Sequence, residues 1–150
     1  MPQSLANVYV HAVFSTKNCE PLLLDPWREE FFAVIGGAVN HTGCQSLVVG
    51  GVADHVHLLF QLSRTITIAD AVGRIKSATS AWVNKTHPPA PPFHWQAGYG
   101  MFSAGQEQVG DLRKYILGQP EHHRSVSFQD ELRGWLARYE LEWNEDYVWD

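Results

Sequence analysis

The stretch ADHVHLLFQL, residues 53–62, constrains the fold more than any other part of the chain. Val56, Leu58 and Phe60 alternate with His55, His57 and Leu59, the period of an extended strand whose successive side chains face opposite sides. A run this apolar belongs in the interior of a sheet. Two imidazoles then project from the same face, about 6–7 Å apart by the strand rise.

The neighbouring segments supply the rest of a fold. NVYVHAVFST (7–16) alternates as a strand, with His11 on the face of Tyr9. DPWREEFFAVIGGAVNHTG (25–43) begins with an Asp cap and Pro26, carries Phe31, Ile35 and Val39 at helical spacing, and ends at Gly43. CQSLVVGGVADHVHLLFQL (44–62) reads as two strands joined near Gly50–Asp54. TIADAVGRIKSATSAWVNK (67–85) is a second amphipathic helix. FHWQAGYGMFSAG (93–105) suits a strand, QEQVGDLRKYILGQ (106–119) a third helix ended by Pro120, and 129–138 a short helix. The order strand-helix-strand-strand-helix-strand is that of a split βαβ, ferredoxin-like or RRM-like α+β fold. An antiparallel sheet with helices on one face is expected, leaving the other face open for a site.

A chain of 150 residues with 45% hydrophobic content suits one domain, 1–150, with a substantial core. Two cysteines without a CxxC spacing support neither a disulfide framework nor a zinc site. The start has no basic segment followed by an apolar block, so a cytoplasmic location without a membrane anchor is expected. The net charge of -5 argues against nucleic acid, but seven of the sixteen acids fall within residues 130–150. Residues 1–128 hold nine acids and nine bases, and Arg64, Arg74, Lys76 and Lys85 cluster against Asp70 alone.

Paired imidazoles on one sheet face can hold a divalent metal ion through one nitrogen each; the plainer alternative is a pair of hydrogen-bonded core histidines. Other HxH chemistries fail on spacing. A histidine triad needs His at 59, where Leu59 stands; an HxHxDH site lacks its continuation; a zincin needs helical i, i+4 histidines beside Glu. In LRKYILGQP, Tyr115 and Gln119 share one helix face. The Gln119 amide oxygen suits Mg²⁺ or Mn²⁺, and Arg113 and Lys114 beside Tyr115 suit phosphate. A phenol near pKa 10 is a poor nucleophile at neutral pH, and a metal on a scissile phosphate offsets that weakness.

Taken together, GGVADHVHLLF and LRKYILGQ resemble the single-tyrosine HUH transposases, in which U is a hydrophobic residue, here Val56. These are small insertion-sequence enzymes acting on single-stranded DNA, with REP-associated tyrosine transposases among their relatives. SLANVYVHAVFSTK, IKSATSAWVN, HWQAGYGMFS and EHHRSVSFQDEL extend the likeness over nearly the whole chain. The resemblance implies His55, His57 and Gln119 as metal ligands and Tyr115 as the nucleophile. It implies cleavage and rejoining of single-stranded DNA through a 5′-phosphotyrosine, recognition of DNA hairpins, and a homodimer whose tyrosine helix can serve the partner's histidines.

Weaker expectations complete the site. Arg74, Lys76, Arg113, Lys114 and Arg124 are candidate phosphate contacts, the last beside His122 and His123, which otherwise form a polar turn. His11 and Asp54 are candidates to orient the metal-ligating histidines. A hairpin-binding protein that no longer transposes remains the alternative on the same scaffold.

Overall fold

A computed structural model describes residues 2–150. Its strands are β1 (Tyr9–Ser15), β2 (Gln45–Gly51), β3 (His55–Gln61) and β4 (Gly100–Ala104). Its main helices are α1 (Asp25–His41), α2 (Ile68–Thr86), α3 (Val109–Leu117), α4 (Gln119–His122) and α5 (Phe128–Arg138). The strands form one antiparallel sheet in the order β2-β3-β1-β4. This is the α+β arrangement that the segment order requires.

The central strands are those with apolar residues on both sides. On one face Val10, Ala12, Phe14, Val56, Leu58 and Phe60 pack against Phe31, Ile35 and Val39 of α1 and Ile75 and Val83 of α2. Burying each of the larger side chains contributes roughly 1.5–3 kcal/mol. Asp25 does not cap α1; Leu24 takes that position, while Asp25 pairs with Arg28 at 2.7 Å in the first turn. Thr67 does cap α2, accepting from the Asp70 amide at 3.1 Å. Within 93–105 only β4 is a regular strand, while Trp95 and Phe102 are buried in the core.

The second face carries the site and is also roofed. Val13 and Phe102 pack there against Phe128, Leu132, Trp135 and Leu136 of α5, and α3 lies along β2. The expected single helix over 106–119 is broken at Gly118. Pro120 has no amide hydrogen to continue the helical ladder, so it opens α4, where a missing donor costs nothing. Gln119 thereby enters the new turn fully buried. Among the described residues no helix is long and apolar enough to cross a membrane.

The contact of β2 with α3 sets where Tyr115 lies. A Cβ at Gly50 would stand 2.5 Å from the Ile116 carbonyl oxygen and 2.8 Å from its Cγ2. Gly50→Ala is therefore expected to cost about 1–3 kcal/mol in urea unfolding, as overpacking does. Gly37→Ala on α1, where an added Cβ meets nothing within 4 Å, should be neutral or stabilising.

Candidate active site

The turn into β3 fixes the first imidazole. The Asp54 carbonyl accepts from the Thr16 amide at 2.9 Å, and the Asp54 carboxylate accepts from His55 Nδ1 at 2.7 Å. His55 Nε2 is thereby aimed across the sheet face. Two residues on, His57 Nδ1 shares a 2.8 Å hydrogen bond with His11 Nε2 from β1, which aims His57 Nε2 the same way. All three rings are buried, and among the described residues His11 Nδ1 has no hydrogen-bond partner. Occupied Nδ1 atoms with converging Nε2 atoms are the arrangement that metal-binding imidazoles adopt.

Into this convergence α5 delivers Glu131. Its Oε1 lies 2.9 Å from His57 Nε2 and 3.3 Å from both His55 Nε2 and His123 Nε2. Its Oε2 accepts hydrogen bonds from Gln119 Nε2 at 3.0 Å and from the Tyr115 hydroxyl. His122 Nε2 is 3.2 Å from Oε2 but angled away from a hydrogen bond. The Gln119 amide oxygen faces His55 Nε2 at 3.0 Å and His123 Nε2 at 2.7 Å. Trp135 Nε1 donates to the Tyr115 oxygen at 3.3 Å.

This packing governs the protons. Burial would raise the Glu131 carboxyl, but hydrogen bonds from His123, His55 and His57 outweigh it and hold the group well below the usual carboxylate range. Burial would lower His55, yet Asp54 and Glu131 raise it to about 9, which favours the protonated ring while no metal is bound. Burial, helped by neighbouring imidazoles, brings His57 down to about 4 and His11 to about 3. Burial and the Glu131 hydrogen bond push the Tyr115 phenol above its ordinary value, so the hydroxyl stays protonated.

His55, His57, His123 and Glu131 offer ligand atoms that all lie within 4.8 Å of one another. Three inward imidazole nitrogens around an ionised carboxylate fit a divalent cation, with the Gln119 oxygen at their edge. Of the residues singled out from sequence, His11, Asp54, His55, His57, Tyr115 and Gln119 come together here. Glu131 and the place of His123 do not emerge from the sequence pattern. One signal for Glu131 exists: an acid on the apolar stripe formed by Phe128, Leu132 and Trp135.

The basic residues are dispersed. Arg74 is exposed on α2, the helix that packs on the opposite sheet face. Lys76 differs from expectation: its ammonium donates to the carbonyls of Gln96 at 2.7 Å and Gly98 at 2.6 Å, and burial lowers it to about 8. These contacts tie the loop before β4 to α2. Arg113 donates to the Leu47 carbonyl at 3.1 Å, Lys114 is exposed, and exposed Arg124 lies 3.4 Å from Glu121.

A family model described as "Transposase IS200 like" matches residues 4–119. The chain belongs to the IS200-like transposase family. No curated protein matches it. Two solved structures share the fold of this IS200-like transposase. One is a provisionally assigned transposase from Deinococcus radiodurans R1, 18% identical with a TM-score of 0.63, covering 77% of this chain and 95% of that one. The other is a REP-associated tyrosine transposase bound to a REP hairpin, 12% identical with a TM-score of 0.60, covering 84% and 74%. The family match ends at Gln119, so His123 and Glu131 of the transposase lie beyond it.

The proton arrangement has a consequence for stability. His55, raised to about 9 from an unfolded value of 6.5, contributes most below 6.5 and loses that contribution as pH rises toward 9. His57 and His11, lowered, contribute fully above 6.5 and lose their contribution as pH falls toward about 4 and about 3 respectively. Thermal melts of chelator-treated protein should peak near pH 6.5 and decline toward about pH 8. In Glu131→Gln the decline between those pH values should shrink; an unchanged slope would refute the imidazolium assignment.

Proposed function

We propose that this transposase cuts and rejoins single-stranded DNA with Tyr115 as nucleophile, in a metal-dependent reaction passing through a 5′-phosphotyrosine. The observation that carries this reading is the Tyr115 hydroxyl bonded to Glu131, whose other oxygen lies against His55, His57 and His123. Within one chain the Tyr115 hydroxyl meets the carboxylate that lies against the ligand set. We read the protein as a homodimer in which the tyrosine helix serves its own or the partner's histidines.

His55, His57, His123 and Glu131, with Gln119 at their edge, would hold the divalent cation. When bound, that cation supplies Lewis acidity to the scissile phosphate and screens its charge. Three imidazoles and one carboxylate suit Mn²⁺ better than Mg²⁺, which prefers oxygen ligands. Asp54 and His11 hold the two strand imidazoles in their inward orientation. Glu131 Oε2, accepting from the phenol, orients the Tyr115 oxygen, and the phenolic proton passes to water as that oxygen attacks phosphorus. The bond from phosphorus to tyrosine forms, the bond to the 3′ oxygen breaks, and a 3′-hydroxyl is released after protonation by water. One phosphodiester replaces another, so that hydroxyl can later attack the linkage and rejoin strands without ATP.

The substrate is DNA with hairpin ends, a reading supported by the hairpin bound to the REP-associated structure. Exposed Lys114, Arg113 and Arg124 on α3 and just beyond α4 are the phosphate contacts nearest the nucleophile. The reaction takes place in the cytoplasm, within a single domain spanning 1–150.

Incubating hairpin DNA carrying a single-stranded flank with Mn²⁺ should yield a covalent protein–DNA adduct, in higher yield than with Mg²⁺. Tyr115→Phe should abolish the adduct while keeping hairpin affinity within about twofold. Glu131→Gln should lower adduct formation by about 10–100-fold, the usual span for losing a group that orients or completes a metal site. An adduct that survives Tyr115→Phe would contradict the assignment. Hairpin binding without any adduct would favour a domesticated binding protein.

A further inference from the structure

Away from the cutting site, the end of β1 carries polar side chains that no protein group engages. Lys17, Asn18 and His94 are exposed, and among the described residues none of their side chains makes a hydrogen bond or ion pair. They stand where two hollows meet. One, of about 320 Å³, is bounded further by Ala97, Trp149 and Asp150. The other, of about 260 Å³, is bounded by Glu20, Leu22 and the prolines Pro89, Pro91 and Pro92. Building on the single-stranded DNA reading above, we propose that the two hollows receive two successive nucleotides of the strand flanking the hairpin, with the phosphate between them on Lys17, Asn18 and His94.

The chemistry of the lining sorts the parts of a nucleotide. Lys17, Asn18 and His94 line both hollows, so they mark the shared centre, and each can donate a hydrogen bond to a phosphate oxygen. The two acids are not shared: Asp150 belongs to one hollow and Glu20 to the other. A phosphate is therefore favoured at the centre and repelled from both ends. The ends instead offer apolar surface, from Leu22 and the prolines on one side and from Ala97 and half-buried Trp149 on the other, which suits sugars and bases of any sequence. A base-paired stem is too wide for either hollow.

The groove is rigid and lies beside the proposed metal centre. The Lys17 amide donates to the His94 carbonyl at 2.9 Å, and the Gln96 amide donates to the Ser15 carbonyl at 2.9 Å, which ties its two sides together. Thr16, next to Lys17, donates its amide to the carbonyl of Asp54, the residue that orients His55. From the other direction, the rings of His55, Phe128 and Trp149 follow one another at 4.6 and 6.2 Å. A strand leaving the phosphate that Tyr115 attacks reaches the Trp149 hollow within a few nucleotides.

Binding tests this separately from cutting. Fluorescence anisotropy of the full chain compares a hairpin without a flank to the same hairpin with a single-stranded flank on its 5′ or its 3′ side, over a salt series. On one side the flank should raise wild-type affinity by about tenfold. Combining Lys17→Ala with His94→Ala should remove that gain for any flank sequence, flatten the salt dependence by about 0.7 in log–log slope, and leave the unflanked hairpin within about twofold. Lys17→Arg should keep the gain. Replacing each flank phosphate in turn by an uncharged methylphosphonate should weaken wild-type binding by about tenfold at one position, to which the double variant is indifferent.

A flank that adds nothing to affinity, an equal loss on both DNAs, or a methylphosphonate series without a sensitive position would overturn the proposal. So would a self-association that the double variant abolishes while its affinity for flanked DNA is unchanged, because the groove would then hold a second copy. A sensitive phosphate without any covalent adduct would uphold the groove and remove the cutting reading; an adduct with no sensitive phosphate would do the reverse.

Discussion

The Glu131 carboxylate is buried between a sheet and its roof, and no charge is stable there without partners. Its two oxygens are met by His55 and His57 from β3, Gln119 and His123 from α4 and its end, and Tyr115 from α3. Removing any one of these elements leaves the carboxylate less compensated than before. The same group therefore locks three helical pieces onto the second sheet face and brings the phenol to the imidazoles. Apolar contacts from Phe128, Leu132 and Trp135 supply the attraction, and the polar cluster fixes the register in which they close.

The first sheet face is more conventional, and it is what makes such a site possible. Phe14, Phe60, Phe31 and Ile75 form a core independent of the polar cluster. With that core in place, β1 and β3 can carry His11, His55 and His57 on the reverse side without giving up their own packing. Asp54 and His11 spend their hydrogen bonds on orienting imidazoles, which leaves the Nε2 atoms to the site.

Much of this arrangement is legible in the chain itself. Strand alternation places His55 and His57 on one face, and helical spacing places Tyr115 near Gln119. Those signals are local, and both survive in the structure, even though Pro120 breaks the helix between the pair. Glu131 is different. Its role depends on partners 8 to 76 positions away, and without them it reads as one of seven C-terminal acids. His123 reads as a polar turn for the same reason. Lys76 is not legible in the same way, since a lysine on a basic stretch gives no sign of the loop carbonyls to which it donates. Local patterns carry periodicity well, whereas a buried polar cluster is a property of the closed fold.

The central claim is that Glu131, from outside the family-defining segment, completes a metal site in cis with His55, His57 and His123. Diffraction from crystals grown with Mn²⁺, collected to use the anomalous signal of manganese, tests it most directly. One anomalous peak is expected, bonded to the Nε2 atoms of the three histidines and to the Glu131 carboxylate of the same chain. No peak at these residues, or a peak bound by other groups while Glu131 stays hydrogen-bonded to the histidines, would contradict the claim.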